Sequence, residues 1–178
     1  MASRLAGQTV AILLDEGIED LEYYVPLMRL QEEGATVLSA ATKLEPVRGK
    51  NGLQATPDTL VRDIAPDSLL GLVIPGGWVP DKLRRSPDVL ALVRAVHELG
   101  KPIGIICHGG LVAISARIVG GARATGSLGI KDDLLNAGAE WVDEPAFRDG
   151  TLIWGRVVAD IPAFCRELVA AFVEAAAR

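Results

Sequence analysis

The chain has 178 residues, 49% hydrophobic and 23% charged, with a formal net charge of -5; this suits one globular α/β domain with a sizeable core and offers no basic field for nucleic acid. No apolar run reaches the ~18 residues of a membrane span, and residues 1–7 carry no signal-peptide pattern. Two cysteines and two histidines argue against a disulfide framework and a structural zinc site, so a cytoplasmic protein with reduced thiols is expected.

The first element is TVAILL at 9–14, an apolar run that reads as a buried strand. Asp15-Glu16-Gly17-Ile18-Glu19-Asp20 turns it into a helix over 21–33, which stops at Gly34. A second strand is predicted over 35–41. Residues 47–56 contain Gly49-Lys50-Asn51-Gly52, a turn signature, and read as a small hairpin. A third buried strand, 70–74, ends in Pro75-Gly76-Gly77, and a helix over 87–99 is closed by Gly100. The strand at 103–107 breaks off at Cys107-His108-Gly109-Gly110, before a helix-like stretch at 111–118. A short strand at 122–125 and a helix at 130–137 follow. Residues 140–144 and 151–154 read as two strands around the turn at Asp149-Gly150. The last helix covers 161–177, with Asp160 as N-cap and Pro162 in its first turn.

Strands that are apolar throughout and alternate with helices imply a mainly parallel sheet covered on both faces. In such sheets ligands bind beyond the carboxyl ends of the strands. Three strands end in groups with chemistry: the acidic loop 15–19, Gly76-Gly77, and Cys107-His108. A cysteine between a strand and a helix sits at a nucleophile elbow, where unpaired amides and the helix dipole favour the reactive thiolate. Glu16 and Glu19 are candidate proton partners for it. The N–H groups of Gly76, Gly77 and His108 are candidates for an oxyanion hole. Each has an ordinary reading beside it. A free cysteine on a buried strand is usually inert core, and Cys165 is assigned there. Glu16, Asp20 and Glu22 read as helix-start charges on a solvated surface. Asp81 reads as the cap of a short helix over 82–85. His97 is assigned no role.

Four segments in order carry a resemblance: Glu19-Asp20-Leu21-Glu22; residues 75–85, beginning Pro75-Gly76-Gly77-Trp78; Ile106-Cys107-His108-Gly109-Gly110; and Gly129-Ile130-Lys131-Asp132-Asp133 with residues 136–143. Together they resemble the PfpI branch of the ThiJ/PfpI superfamily, collinearly from Thr9 to Phe172. The resemblance implies a flavodoxin-like three-layer α/β sandwich, like that of the class I glutamine amidotransferases, as a single domain over 9–176 after a short extension, 1–8. It implies that Cys107 is the elbow nucleophile, Glu19 the buried acid beside the thiol, and His108 the histidine after the nucleophile. Asp81 of a neighbouring subunit would orient that histidine, and Gly77 and His108 would supply the oxyanion amides. The activities implied are those of a peptidase, a glutathione-independent glyoxalase or a deglycase, with stress tolerance as a common setting. No metal or organic cofactor is expected, and a homodimer or dimer-based hexamer is.

The chain departs from the family pattern around the expected pocket. Ser127-Leu128 replaces an aromatic residue and proline, Leu111 stands where a bulky or polar residue is common, and Gly155-Arg156-Val157-Val158 lacks the usual Thr-Pro. Ser127, Trp78 and Leu111 are thus expected to shape the substrate pocket. The first functional expectation is a cysteine hydrolase or lyase acting on small carbonyl compounds or peptides. The alternative is a redox-sensing or stress-protective protein whose Cys107 is oxidised without turnover. An amidotransferase is disfavoured because no histidine follows His108.

Overall fold

A computed structural model describes residues 3–178. Its elements, in chain order, are β1 (Thr9–Leu13), α1 (Asp20–Glu32), β2 (Thr36–Ala41), β3 (Val47–Arg48), β4 (Gln54–Ala55), β5 (Thr59–Leu60), β6 (Gly71–Ile74), α2 (Val79–Leu83) and α3 (Pro87–Glu98). Then come β7 (Ile103–Ile106), α4 (Gly110–Ser115), β8 (Arg123–Ala124), α5 (Lys131–Asn136), β9 (Glu140–Trp141), β10 (Ala146–Asp149), β11 (Leu152–Gly155) and α6 (Ile161–Ala176).

Seven strands form one sheet in the order β10-β11-β7-β6-β1-β2-β5. All neighbours are parallel except the edge pair β10–β11. The central strands β6, β7 and β11 are buried at every residue, which explains their unbroken apolar sequences. From β1 the chain moves one way to β2, and from β6 it moves the other way to β7. Right-handed crossovers in opposite directions put their helices on opposite faces. Consistent with this, α1 packs on α6, while α2 and α3 both pack on α4. The fold is the flavodoxin-like α/β sandwich, and its switch point lies between β1 and β6. Gly104 on β7 lets α6 approach closely, because a Cβ there would come within 2.5 Å of Leu168 Cδ1.

Two expectations about the C-terminal part are corrected. The strand expected at 140–144 is the short β9, and it pairs in parallel with β8 in a separate two-stranded sheet. The partner of β11 is instead β10, across the tight turn at Gly150-Thr151. Pro145 separates β9 from β10, and its missing N–H prevents one continuous strand. Asp160 does not cap α6 through its side chain; its carboxylate accepts from Arg156 Nε at 3.0 Å. No helix among the described residues is long and apolar enough to cross a membrane.

Candidate active site

The ends of β1, β6 and β7 meet at the switch point. The loop after β1 is stitched to the loop after β6: Glu19 N–H donates to Gly76 O at 3.1 Å and Trp78 N–H to Gly17 O at 2.9 Å. Gly77 makes this approach possible. Its φ is +88°, and a Cβ there would fall on Glu19 N and within 2.7 Å of Gly17 O. Gly77→Ala is therefore expected to destabilise the protein by roughly 2 kcal/mol through backbone strain. In thermal unfolding this should read as a melting point lower by about 4–8 °C.

Cys107 opens a single 3-10 turn, Cys107–Gly109, between β7 and α4. Its φ is +59°, a left-handed conformation uncommon for a side chain with a Cβ. Close backbone packing enforces it: a Cβ on Gly109 would strike Ile74 O, and one on Gly126 would lie 2.7 Å from Cys107 O. The elbow expected from the sequence is present, and its left-handed Cys107 is a strained residue. The Sγ lies 3.3 Å from His108 Nδ1, and the backbone N–H groups of His108 and Gly77 interact with it.

The carboxyl group beside this thiol is Glu22; neither Glu19 nor Glu16 occupies that place. Helix α1 starts at Asp20, and its inner face carries Glu22, Pro26 and Leu30. Glu22 is fully buried, and its Oε2 accepts the Gly76 N–H at 2.8 Å. Its Oε1 has no partner of good geometry in the protein, yet the carboxyl group is coupled to the Cys107 thiol. Glu19, the expected acid, lies at the N-cap of α1 one turn earlier. Its Oε2 pairs with Lys50 Nζ at 2.8 Å and its Oε1 accepts from Asn51 Nδ2 at 2.8 Å. Glu16 faces the β3–β4 hairpin, where it accepts the Arg48 N–H. Gly76 also changes role. Its N–H is committed to Glu22, which leaves the amides of Gly77 and His108 as the candidate oxyanion hole.

Burial raises the Glu22 carboxyl to about 7, against the opposing hydrogen bond from Gly76. Burial first, then the charge of Glu22, pushes the Cys107 thiol up to about 12, although the His108 and Gly77 amides pull it down. The net lowering expected from helix-start amides is thus overturned by desolvation. The two values belong to a coupled pair. Between about pH 7 and pH 12 the pair holds one proton, chiefly on the thiol, and the thiolate is the minor form in which Glu22 carries it. Burial also lowers the His108 imidazole, with a further push from the Lys50 charge, so the neutral ring is favoured.

These groups open into a cavity of about 780 Å³. Trp78, Leu111 and Ser127 all line it, as expected. Trp78 stands on the rim, 67% exposed. The opposite wall includes Val157-Val158-Ala159, held by an Arg156 guanidinium that bonds both Asp160 and Asp143. Asp81 also lines the cavity mouth, but within its own chain it pairs with Arg85 at 3.1 Å. Sequence reasoning missed Glu22 and Lys50. The available signal for Glu22 was its position four residues before Pro26 and eight before Leu30, on the buried stripe of α1. Lys50 is brought in by the hairpin turn. Asp20 fixes that turn by accepting the Asn51 and Leu53 N–H groups, each at 2.8 Å.

A family model described as the DJ-1/PfpI family matches residues 8–171. An uncharacterized protein from Archaeoglobus fulgidus is 44% identical over 90% of this chain and 95% of its own length. A protein from Pyrococcus abyssi named as a deglycase is 39% identical over 90% of this chain and 96% of its own. The solved structure of a two-domain protein from Anabaena variabilis, with DJ-1/ThiJ/PfpI-like and ferritin-like domains, superposes with a TM-score of 0.90 at 34% identity. That match covers 92% of this chain and 47% of the two-domain protein.

Proposed function

The chain belongs to the DJ-1/PfpI family, and on that premise we propose that it is a cysteine-dependent enzyme of glyoxalase or deglycase type acting on small carbonyl compounds. The observation that carries this reading is the buried Glu22 carboxyl, its affinity for a proton raised to near neutrality, coupled to a strained Cys107. In the proposed reaction the thiolate attacks an aldehyde carbon. The carbonyl oxygen, held by the Gly77 and His108 amides, takes the proton from Glu22 and a hemithioacetal forms. With a vicinal dicarbonyl, the Glu22 carboxylate then removes the C–H proton to give an enediolate, and the hydroxyl proton of the former hemithioacetal passes to the negative oxygen on the adjacent carbon. Return of the proton from Glu22 to that adjacent carbon yields a 2-hydroxy thioester. Water hydrolyses it, releasing a 2-hydroxy acid and the thiol. The cavity of about 780 Å³ is of small-molecule size and suits such substrates better than a folded polypeptide. The name of the Pyrococcus abyssi relative agrees with this class.

The test is a screen of dicarbonyls, glycated amines, amides and peptides, with Cys107→Ala as the blank. Cys107-dependent release of a 2-hydroxy acid from methylglyoxal is the expected result. Stoichiometric oxidation of Cys107 with no turnover of any substrate would favour the redox-sensing alternative.

In this proposal the protein works as a homo-oligomer in which Asp81 of one subunit orients His108 of another. Trp78 offers an exposed apolar surface next to Asp81 that a partner would cover. Sizing chromatography is expected to give a dimer or a multiple of one, and Asp81→Asn to lower kcat by about tenfold or more. A monomer with full activity would remove Asp81 from the site.

A further inference from the structure

The hydrogen-bonding capacity around the cavity is lopsided. Three cations line it: Lys50, Lys82 and Arg85. The carboxylates that meet them are already engaged. Both oxygens of Glu19 are occupied, by Lys50 Nζ and Asn51 Nδ2, and Asp81 Oδ2 is taken by Arg85. The donors are not used up. An ammonium has three N–H bonds, and among the described residues Lys50 Nζ has Glu19 as its polar partner. Lys82 Nζ donates to the backbone oxygen of Glu16 at 3.0 Å and forms no ion pair among the described residues. The mouth of the cavity therefore presents free cationic donors, while Cys107 and Glu22 lie at its base.

Lys50 is also held firmly. Its N–H donates to Ile18 O at 2.8 Å, and its turn is anchored twice more by the Asp20 carboxylate. Its side chain is 36% exposed and Glu19 only 5%, so the ammonium reaches the cavity from a nearly buried counter-ion. The Lys50 charge is felt by Cys107, Glu22 and His108 together.

We infer that the site takes an anionic carbonyl compound, in which the carbonyl reaches Cys107 while a carboxylate or phosphate group is held by Lys50, with Lys82 as the outer cation. This rests on the proposed carbonyl chemistry for its reaction, but the binding preference can be measured without it. An acceptor-rich anion fills the free donors. A neutral ligand of the same shape leaves them to water.

The test uses the Cys107→Ala protein, in which no covalent step follows binding, titrated calorimetrically with 4-acetylbenzoate, 4-acetylphenyl phosphate and the near-isosteric 4-acetylbenzamide. At least one anion is expected to bind about tenfold more tightly than the amide, as a charge-assisted hydrogen bond at a partly exposed site allows. Which anion does so separates a carboxylate from a phosphate substrate. Lys50→Met should bring anion and amide close to parity, and Lys50→Arg should keep most of the difference. Because Lys50→Met strands the Glu19 charge, the same comparison is made with Glu19→Gln added, which leaves the turn neutral and still tied to Asp20. Equal affinity for anions and amide with Lys50 in place would overturn the inference, as would a preference that survives removal of both Lys50 and Lys82. The carbonyl reading is judged separately, by whether the unaltered protein turns over the neutral 4-carbamoylphenylglyoxal.

Discussion

Replacing Cys107 with serine is expected to lower turnover of any carbonyl substrate by at least ~10⁴-fold while leaving the fold and its melting point nearly unchanged. Loss of a nucleophile that works within a coupled set removes most of the catalytic effect. Serine fits the elbow because the geometry is a backbone property. The φ of +59° at position 107 is imposed by the approach of Gly109 to Ile74 O and of Gly126 to Cys107 O. Serine also retains a hydroxyl donor for the Glu22 carboxyl, so no buried charge is left alone. What it lacks is acidity and nucleophilicity: even a thiol pushed up to about 12 passes its proton to Glu22 far more readily than an alcohol does. The checks are kcat/KM against methylglyoxal and mass spectrometry of protein quenched during turnover. An adduct on wild type that is absent from Cys107→Ser is the expected outcome. Activity within tenfold of wild type would take the reaction away from this residue.

The elbow was legible from sequence because several local signals coincide there. An apolar strand, Cys-His-Gly-Gly and a following helical pattern allow one arrangement, and each glycine has a steric reason to be present. The parallel sheet was legible for a similar reason, since strands buried on both faces cannot carry polar positions. The acid partner was misread although the helix start, expected at residue 21, lies only one residue away at Asp20. Residues 19–22 contain three carboxylates, and the solvated reading common at helix starts hides the fact that this turn points inward. Glu19 is turned toward Lys50, while Glu22 shares the buried stripe with Tyr23, Pro26 and Leu30. The packing of α1 against the loop after β6, where Glu22 accepts the Gly76 N–H, sets them apart. Lys50 was invisible for a different reason: it comes from a hairpin whose position depends on tertiary hydrogen bonds to Asp20, and a turn signature says nothing about where the turn will dock.

Glu22 is the second residue on which the site depends, and its replacement by glutamine should have two effects of opposite sign. Catalysis should fall by roughly 10²–10⁴-fold, the usual contribution of a general acid–base group, and Glu22→Leu should fall at least as far. Glu19→Gln keeps the hydrogen bond from Asn51 and loses the ion pair with Lys50, so it should cost activity only about tenfold or less. Stability should respond in the other direction. Glu22 binds its proton more tightly in the folded chain, at about 7, than an ordinary solvated glutamate does. The folded state is therefore favoured fully below the unfolded value, and this advantage is lost as pH rises through about 7. The displacement corresponds to about 3 kcal/mol between pH 4 and pH 8. Glutamine cannot ionise and still offers an oxygen to the Gly76 N–H, so its stability should lack this decline. The melting point of Glu22→Gln relative to wild type should then climb by several degrees between pH 5 and pH 8, while its turnover stays low throughout. A difference that stays flat over that range would mean that Glu22 does not take up a proton near neutrality in the folded protein, and the acid step of the proposed reaction would need another group.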